Sequence, residues 1–186
     1  MNASQPWASL TSAQKRTRTL EVANDLFARN GVNVSMPVLA RAIGVGVGSI
    51  YRQVGTKEDV IAALVTERAR ILRARFLATL DEPAPWSALV DATHATVDDC
   101  ISDALTQTSW DEATYANPEV RAARLGATDA LRQMVERARE AEELRDDASH
   151  EDVRLVFFAV RELSSIGPDP AHRLAELVLR GMRRTD

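Results

Sequence analysis

The chain has 186 residues, 45% of them apolar and 27% charged, and a formal net charge of −4 at pH 7, which predicts a soluble globular protein of one large domain or two small ones. No run approaches the roughly 20 apolar residues of a membrane span, and the first residues lack the apolar core of a signal peptide, so we expect a cytoplasmic protein with no membrane partner. The single cysteine, Cys100, excludes an internal disulfide and a zinc site built on several thiolates.

Helix patterns dominate the first third of the chain. Thr11 and Gln14 have the spacing of a capping box, in which each side chain accepts a hydrogen bond from the other residue's backbone N–H. Apolar residues then repeat at helical spacing up to Gly31, a common helix stop. A short apolar helix follows between Ser35, its predicted cap, and Gly44.

Two more helices are predicted before the first break in the pattern. One is short, from about Val47 to Val54, and Gly55 can take the left-handed conformation that ends it. The other begins after Thr56, with Asp59 three residues later, and its apolar residues repeat as far as about Leu80.

The second half of the chain is helical as well. Asp81-Glu82-Pro83-Ala84-Pro85 interrupts the long helix, and Asn117-Pro118 is a strong helix start. Further helices are predicted over about 86–106, near Trp110, from Ser149 to about Ile166 and from Asp169-Pro170 to about Arg184. Strand alternation and hairpin turns are absent from the sequence, so we expect an all-α fold of about nine helices.

Glycines at alternate positions, Gly44, Gly46 and Gly48, could indicate a loop that binds a nucleotide cofactor. The dinucleotide fingerprint, however, requires a third glycine where Ser49 stands, and it follows a strand, whereas these glycines follow a predicted helix. The Gly-Lys-Ser/Thr sequence of a phosphate-binding loop is missing too. We therefore expect no cofactor.

Two short helices joined by a turn at Gly44-Val45-Gly46 are typical of a helix-turn-helix. Gly48 removes a side chain from the first turn of the second helix, so its backbone could approach another surface closely. Helix starts at Ser35, Gly46 and Thr56 lie within some twenty residues, and helix N-termini attract anions. Such a group suits a polyphosphate backbone better than one small cofactor.

At this point the chain resembles the DNA-binding head of the TetR family of transcriptional regulators, over about residues 15 to 62. The residues that carry the resemblance are Phe27-x-x-x-Gly31, Leu39-Ala40-x-x-Ile43-Gly44-Val45, Gly48-Ser49-Ile50-Tyr51-Arg52 and Lys57-Glu58-Asp59-Val60. Two positions depart from the family pattern: Gly46 replaces a serine cap and Val54 replaces a phenylalanine. Glycine at a cap costs only a few tenths of a kcal/mol, so folding should survive.

The resemblance implies that Tyr51 and Lys57 contact DNA phosphates, with the hydroxyl and N–H of Thr56 beside them and Ser35 in a similar role. Such contacts position a protein without reading sequence. The alternatives are a Tyr51 ring half-buried in the small core and an ordinary solvated Lys57.

Sequence reading should fall to the exposed start of the second helix, at Val47, Gly48, Ser49, Arg52 and Gln53. Here a valine can touch a thymine methyl, a glutamine can pair with adenine, and an arginine can pair with guanine or contact a phosphate. For Gln53 a solvated side chain is the equal alternative.

Charge is distributed unevenly along the chain. Residues 1–60 carry seven basic and four acidic side chains, a net +3, which leaves −7 for the remaining 126 residues. A basic head on an acidic body is the electrostatic pattern of nucleic-acid binding. Lys15, Arg16 and Arg18 form either a basic arm for the minor groove or a solvated helix start.

One such head makes few base contacts, so a two-fold homodimer on a pseudo-palindromic site is expected. The last helix carries an apolar stripe at helical spacing, in which Gly181 permits close approach of another helix. The preceding helix is apolar over most of its circumference, so it needs two partners to bury its surface. The expected dimer residues are Val156, Val160, Leu174, Leu177, Val178, Gly181 and Met182. The resemblance agrees, since the family dimerises through its last two long helices as a four-helix bundle; the alternative is a monomer core.

The family's bodies usually bind a small molecule that changes the spacing of the heads. The predicted pocket residues are Trp86, His94, Trp110, Tyr115 and Phe157. A histidine at the position of His94 is more often a packed core residue. Asp98, Asp99 and Asp103 could favour a cationic ligand, although such a run is usually a solvated face.

The sequence thus predicts a helix-turn-helix domain over residues 1–60 and a ligand-binding and dimerisation domain over residues 61–186. Its expected partners are double-stranded operator DNA, an unidentified small-molecule inducer and a second copy of the chain. An enzyme is disfavoured because His94, His150 and His172 fall on separate helices without neighbouring motif residues, and no metal site is expected. The remaining alternative is an interaction module of this fold that has lost DNA binding.

Overall fold

A computed structural model describes residues 6–105, 116–163 and 168–184, with the side chains of residues 162 and 163 outside the description. Within those ranges it contains eight α-helices and no strand, which confirms the all-α prediction. They are α1 (Ser12–Asn30), α2 (Met36–Ile43), α3 (Val47–Val54), α4 (Lys57–Ala78), α5 (Pro85–Ser102), α6 (Pro118–Glu140), α7 (His150–Leu163) and α8 (Pro168–Met182). The short helix predicted near Trp110 falls outside the described residues.

The caps predicted at Thr11, Thr56 and Asn117 are confirmed, whereas Ser35 stands at the N-cap position of α2 without a side-chain capping bond. Thr11 and Gln14 form a capping box at the start of α1, and Thr56 and Asp59 form another at the start of α4. Asn117 caps α6, its side-chain oxygen accepting from two backbone N–H groups. These bonds satisfy donors that a helix start otherwise leaves unpaired.

Some helix boundaries differ by a few residues from those predicted from the sequence. The chain becomes extended at Asp103, whose carboxylate accepts a hydrogen bond from the backbone N–H of Leu105 at 2.9 Å, so α5 ends at Ser102 rather than near residue 106. The last helix begins at Pro168 and ends at Met182. Its final carbonyl accepts from the N–H of Arg145 at 3.0 Å, which ties the end of α8 to the turn after α6.

A small core holds α1, α2 and α3 against the first turns of α4. Its centre consists of Phe27, Leu39 and Ile50, each at most 1% exposed, and Leu105 joins them from beyond α5. Val54 is 3% exposed, so the smaller side chain is fully covered in this core. Because α4 continues past residue 60, it belongs to both predicted domains.

A larger core fills the body. Helix α4 packs along α6, while α5 packs against α7 and α8. The buried residues at its centre include Phe76, Leu89, Leu131, Met134 and Leu144. The body is therefore a bundle through which α4 runs towards the helix-turn-helix.

Candidate nucleic-acid interface and ligand cavity

Helices α2 and α3 form a helix-turn-helix through a tight turn. Gly44 takes a left-handed conformation with φ +82°, which side chains rarely adopt. The N–H of Val45 donates to the carbonyl oxygen of Ala40 at 3.0 Å, and its side chain packs partly buried on the head core. The turn thus fixes the direction in which α3 leaves α2.

The exposed face of α3 carries apolar and polar side chains. Val47 is 38% exposed and Tyr51 is 49% exposed, so the tyrosine ring is not a core residue. Arg52 is exposed too, and its guanidinium lies 3.3 Å from the hydroxyl of Ser49. A Cβ at Gly48 would have nothing within 4 Å. This face of α3 is therefore open to solvent.

Gln53 has a structural role that its sequence position does not reveal. The hydroxyl of Ser12 donates to its side-chain oxygen at 3.1 Å, and the guanidinium of Arg16 donates to its backbone carbonyl at 3.2 Å. These bonds hold the end of α3 against the start of α1. Its amide oxygen is therefore already engaged, and Arg16 is directed to α3 rather than extending as an arm.

Three helix starts lie in this head, and they differ in how many donors remain. Helices α2 and α3 have no side-chain capping bond. The exposed hydroxyl of Ser35 therefore makes no bond to the start of α2, and Gly46 has no side chain to cap the start of α3. At the start of α4 the N–H of Thr56 donates to Asp59 at 2.8 Å, and its hydroxyl oxygen accepts from the N–H of Asp59 at 3.2 Å. The Thr56 N–H is therefore already hydrogen-bonded. The groups still available to bind an anion here are the Thr56 hydroxyl proton and the partly exposed Lys57.

The body contains a cavity of about 170 Å³ between α4, α5, α6 and α7. Phe157 lines it, whereas Trp86 and His94 lie elsewhere. The Trp86 ring lies under the Arg183 guanidinium, 5.5 Å from it, and His94 contacts His172 with 3.0 Å between their Nδ1 atoms. Trp110 and Tyr115 fall outside the described residues.

Sequence reasoning missed the arginines of this cavity. Arg68, Arg124, Arg154 and Arg161 all line it. They could have been found from spacing, because each occupies the same helical face as apolar lining residues, three or four positions away. On α7, for example, Arg154, Phe157, Phe158 and Arg161 follow that spacing.

The aspartates considered for a cationic ligand are all paired with basic side chains. Asp103 forms an ion pair with Arg68, Asp99 pairs with Arg75 at 2.7 Å, and Asp98 contacts His172 at 2.8 Å. None of the three lines the cavity. Its lining, among the residues the structure describes, holds basic but no acidic side chains.

Cys100 also lines the cavity, and its thiol is inert by environment. Burial raises the pKa of Cys100 to about 11, assisted by the nearby negative charges of Asp99 and Asp103. A thiol with so high a pKa stays protonated at neutral pH and is a poor nucleophile.

The predicted dimer residues divide into two groups. Leu177 is 51% exposed and Gly181 is exposed, while Leu174 and Val178 are partly buried. Val156, Val160 and Met182 are at most 4% exposed and pack inside the chain itself. Leu155 on α7 is 63% exposed as well, although it was not among the predicted dimer residues. The apolar surface open to a partner is therefore the outer stripe of α7 and α8.

Neither a metal centre nor a membrane span is found in residues 6–105, 116–163 and 168–184. No three histidine, cysteine or carboxylate side chains there are grouped to hold a metal ion. None of the described helices combines the length and apolarity needed to cross a bilayer.

Two family models match the chain. One, for bacterial regulatory proteins of the tetR family, matches residues 20–64. The other, for the C-terminal domain of SbtR-like transcriptional regulators, matches residues 84–184, more than half of the chain. No curated protein sequence gives a significant match.

Solved structures share the fold over almost their whole length. A TetR transcription regulatory protein of Mycobacterium vanbaalenii is 26% identical, with a TM-score of 0.63 over 93% of this chain and 97% of that one. A TetR transcriptional regulator of Streptomyces coelicolor is 28% identical, with a TM-score of 0.63 over 92% and 99%. NemR of E. coli in its reduced form, 15% identical with a TM-score of 0.70 over 91% and 97%, shows the fold alone.

Proposed function

The chain belongs to the TetR family of bacterial regulatory proteins, and on that premise we propose that it is a homodimeric repressor that binds a pseudo-palindromic operator and is released from it by a small-molecule ligand. Membership of this family makes the chain a DNA-binding transcriptional regulator. The observation that supports operator binding is the exposed face of α3 beside two helix starts without side-chain caps.

In the proposed complex α3 enters the major groove. Val47 and Tyr51 are exposed on that helix although they are apolar or aromatic, which a partner surface would explain. The N–H groups at the start of α3 and the hydroxyl of Ser35 would bind phosphates, with Lys57 adding charge. Val47, Ser49 and Arg52 would face base edges, while Gln53 keeps α3 in place through Ser12.

A homodimer would bring two such heads to the two halves of an operator. The supporting observation is the apolar stripe of α7 and α8, where Leu155 and Leu177 are more than half exposed. A Cβ at Gly181 would have nothing within 4 Å, so a helix of a second chain could approach α8 closely.

Ligand release requires a connection between the body and the head, and α4 supplies one. Its first turns pack in the head core through Val60 and Leu64, and Leu72 and Phe76, further along, line the cavity. A ligand that displaces α4 in the body would therefore change the position of the head.

The test is binding to a labelled DNA pool that includes the region upstream of the coding sequence, at about 50 and 200 mM salt. We expect sequence-selective binding that weakens by orders of magnitude between the two salt concentrations. Tyr51→Ala should abolish most of it, and Lys57→Gln should reduce the salt slope by about one phosphate contact. Arg70→Gln is the matched control, because Arg70 lies on the same helix but pairs with Glu67 on the exposed surface of the body.

Equal losses in Lys57→Gln and Arg70→Gln would show that net charge rather than the α3 face governs binding. Absence of selective binding at low salt by a folded dimer would contradict the proposal and favour an interaction module. Size measurement by light scattering tests the dimer independently of DNA.

A further inference from the structure

Two histidines from distant parts of the chain meet at the contact between α5 and α8. His94 lies on α5 and His172 lies near the start of α8, with 3.0 Å between their Nδ1 atoms. Nε2 of His172 lies 2.8 Å from a carboxylate oxygen of Asp98, which follows His94 by one turn of α5. The three side chains thus form two consecutive hydrogen bonds that join the start of α8 to α5.

The two imidazole rings meet edge to edge. Their centroids are 5.2 Å apart and their planes differ by 21°. The centroid separation is 2.2 Å longer than the distance between the Nδ1 atoms, and the two distances from ring centre to nitrogen account for that difference. Both nitrogens therefore lie close to the line between the ring centres, which is the geometry of a nearly straight N–H···N hydrogen bond in the plane of the rings.

The number of protons on the pair decides whether this bond exists. An ionised carboxylate only accepts, so Nε2 of His172 carries a hydrogen directed at Asp98. Nδ1 of His172 then has a lone pair if the ring is neutral and an N–H if it is charged, and Nδ1 of His94 supplies the other half of the bond. When both rings are charged, both Nδ1 atoms carry a hydrogen, no acceptor remains and the two cations repel each other.

The pair lies at the edge of the apolar cluster that holds α8 on α5. Val97, next to Asp98, and Ala171 and Ala175 of α8 are fully buried in that cluster. His172 follows Ala171 directly, and its side chain is 34% exposed, so it can exchange protons with solvent. Loss of the bond between the rings should therefore loosen the first turns of α8.

The charged side chains one helical turn from either histidine are all acidic. They are Asp91 and Asp98 on α5 and Asp169 and Glu176 on α8. Glu176 is paired with Arg173 and Arg180. Helix α7 packs against both helices and contributes valines to the same cluster, while its Arg154 and Arg161 line the cavity. Carboxylates change charge mostly below about pH 5 and imidazoles between about pH 5 and 8, so acidification to pH 5 acts mainly on the imidazoles.

We propose that Asp98, His172 and His94 form a proton-sensitive latch, which holds the start of α8 on α5 while at most one imidazole is charged and opens when both are charged. The open pair binds one proton more than the latched pair, so each pH unit of acidification in that range favours opening by up to about tenfold. Because α8 carries part of the proposed dimer surface, acid should also weaken the dimer. This last step alone rests on the proposed function.

The direct test is nuclear magnetic resonance of the full, unaltered chain with 15N-labelled histidine, titrated from about pH 8 to 5. At about pH 7.5 we expect a hydrogen on Nε2 of His172 and a scalar coupling between the Nδ1 nuclei of the two rings, which an N–H···N bond transmits. Near pH 5 both rings should be charged and the coupling lost. No coupling at about pH 7.5, or a coupling that persists with both rings charged, would overturn the proposal.

Hydrogen exchange then measures the opening of α8. In the unaltered chain the protection factors of residues 171–175, corrected for the intrinsic pH dependence of exchange, should fall about tenfold between about pH 6 and 5. His94→Gln should reduce this fall to less than about twofold, because a neutral amide can accept from Nδ1 of charged His172. Protection that does not fall in the unaltered chain, or that falls equally in His94→Gln, would overturn the latch.

His150→Gln is the matched control. His150 lies on α7 and contacts Glu151 rather than the pair, so this variant should lose protection in α8 as the unaltered chain does. A control that behaves like His94→Gln would overturn the assignment to the pair. If His94→Gln does not fold, the coupling measured in the unaltered chain still decides the proposal.

Sedimentation of the same proteins separates this inference from the repressor proposal. The dissociation constant of the dimer should rise as protection is lost in the unaltered chain and stay constant in His94→Gln. A chain that is monomeric at every pH, yet shows the coupling and its loss, would support the latch and contradict the proposed dimer. A dimer that is indifferent to pH while α8 loses protection would overturn the effect of the latch on dimerisation.

Discussion

The head and the body carry their recognition surfaces in opposite ways. In the head, Val47 and Tyr51 stand exposed on α3, and the contacts proposed for DNA come from one short stretch of chain. In the body, the residues that line the cavity come from four helices. A surface built from one stretch of chain can be recognised from a motif, while a site built from several helices depends on how distant segments meet.

Their cores differ in the same sense. The head core joins residues mostly from about forty consecutive positions, whereas the body core joins α4 to helices more than fifty residues later. Helix α4 is common to both. We expect the two regions to respond differently to mutation, and the four predictions below test this.

The largest effect is expected in the small core of the head. Phe27 is 1% exposed there, and Phe27→Ala should lower the free energy of unfolding of the head by about 3–5 kcal/mol. Hydrogen exchange should show α1 to α3 opening while α6 and α7 stay protected. Leu125→Ala is the control, because Leu125 is 62% exposed on α6 and its removal should change stability by less than about 0.5 kcal/mol. Loss of protection across the whole chain would mean that head and body unfold as one unit.

A second prediction concerns the burial of the Cys100 thiol in the body. The pKa of Cys100 is raised from 9.0 to about 11, so at pH 8 the thiolate fraction should be about a hundredfold smaller than in an ordinary thiol. Reaction with a disulfide reagent should be slower by at least that factor than in the urea-unfolded chain, and its rate should rise with pH towards 11. A folded-state rate within tenfold of the unfolded rate would contradict the burial of the Cys100 thiol.

A smaller effect compares the two capping boxes. Thr56→Ala and Thr11→Ala each remove one helix-capping bond and should each reduce stability by about 1 kcal/mol. Thr56 begins α4, which packs in both regions, so its loss should increase hydrogen exchange in α3 and in the first half of α4. The loss of Thr11 should increase exchange at the start of α1 and at the end of α3, which Ser12 and Arg16 hold, and leave α4 unchanged. Indistinguishable exchange maps would contradict the role given to α4 as the link between the two regions.

The smallest change in stability is expected at Gly48. A Cβ there meets nothing within 4 Å, so Gly48→Ala should stabilise the free protein by up to about 0.5 kcal/mol through helix propensity. It should nevertheless weaken DNA binding, because the added methyl group lies on the proposed contact face. Gly126→Ala on α6 is the control, with no expected effect on DNA affinity; its Cβ would lie 3.2 Å from Cδ of Arg73, so that flexible side chain must shift and the gain in stability should be smaller. Unchanged DNA affinity in Gly48→Ala would remove this part of α3 from the interface. Stability is measured by urea unfolding and affinity by titration of the selected DNA.

The sequence by itself determined the helices of the head, the capping boxes at Thr11 and Thr56 and the turn at Gly44. Those features depend on hydrogen bonds and steric limits within four or five residues, as in the bond from Val45 to Ala40. A short stretch of sequence is therefore enough to predict them. The general family resemblance follows from the same local pattern, and the family models agree with it.

Only the tertiary structure decided which side chains share the cavity and what engages the others. Arg68, Arg124 and Arg161 are separated by up to 93 positions along the chain and meet only because α4, α6 and α7 pack together. The bond from Ser12 to Gln53 spans 41 positions, so the glutamine's structural role is equally hidden from spacing. Contacts of this kind depend on the relative placement of whole helices, which many side chains fix jointly and no short pattern encodes.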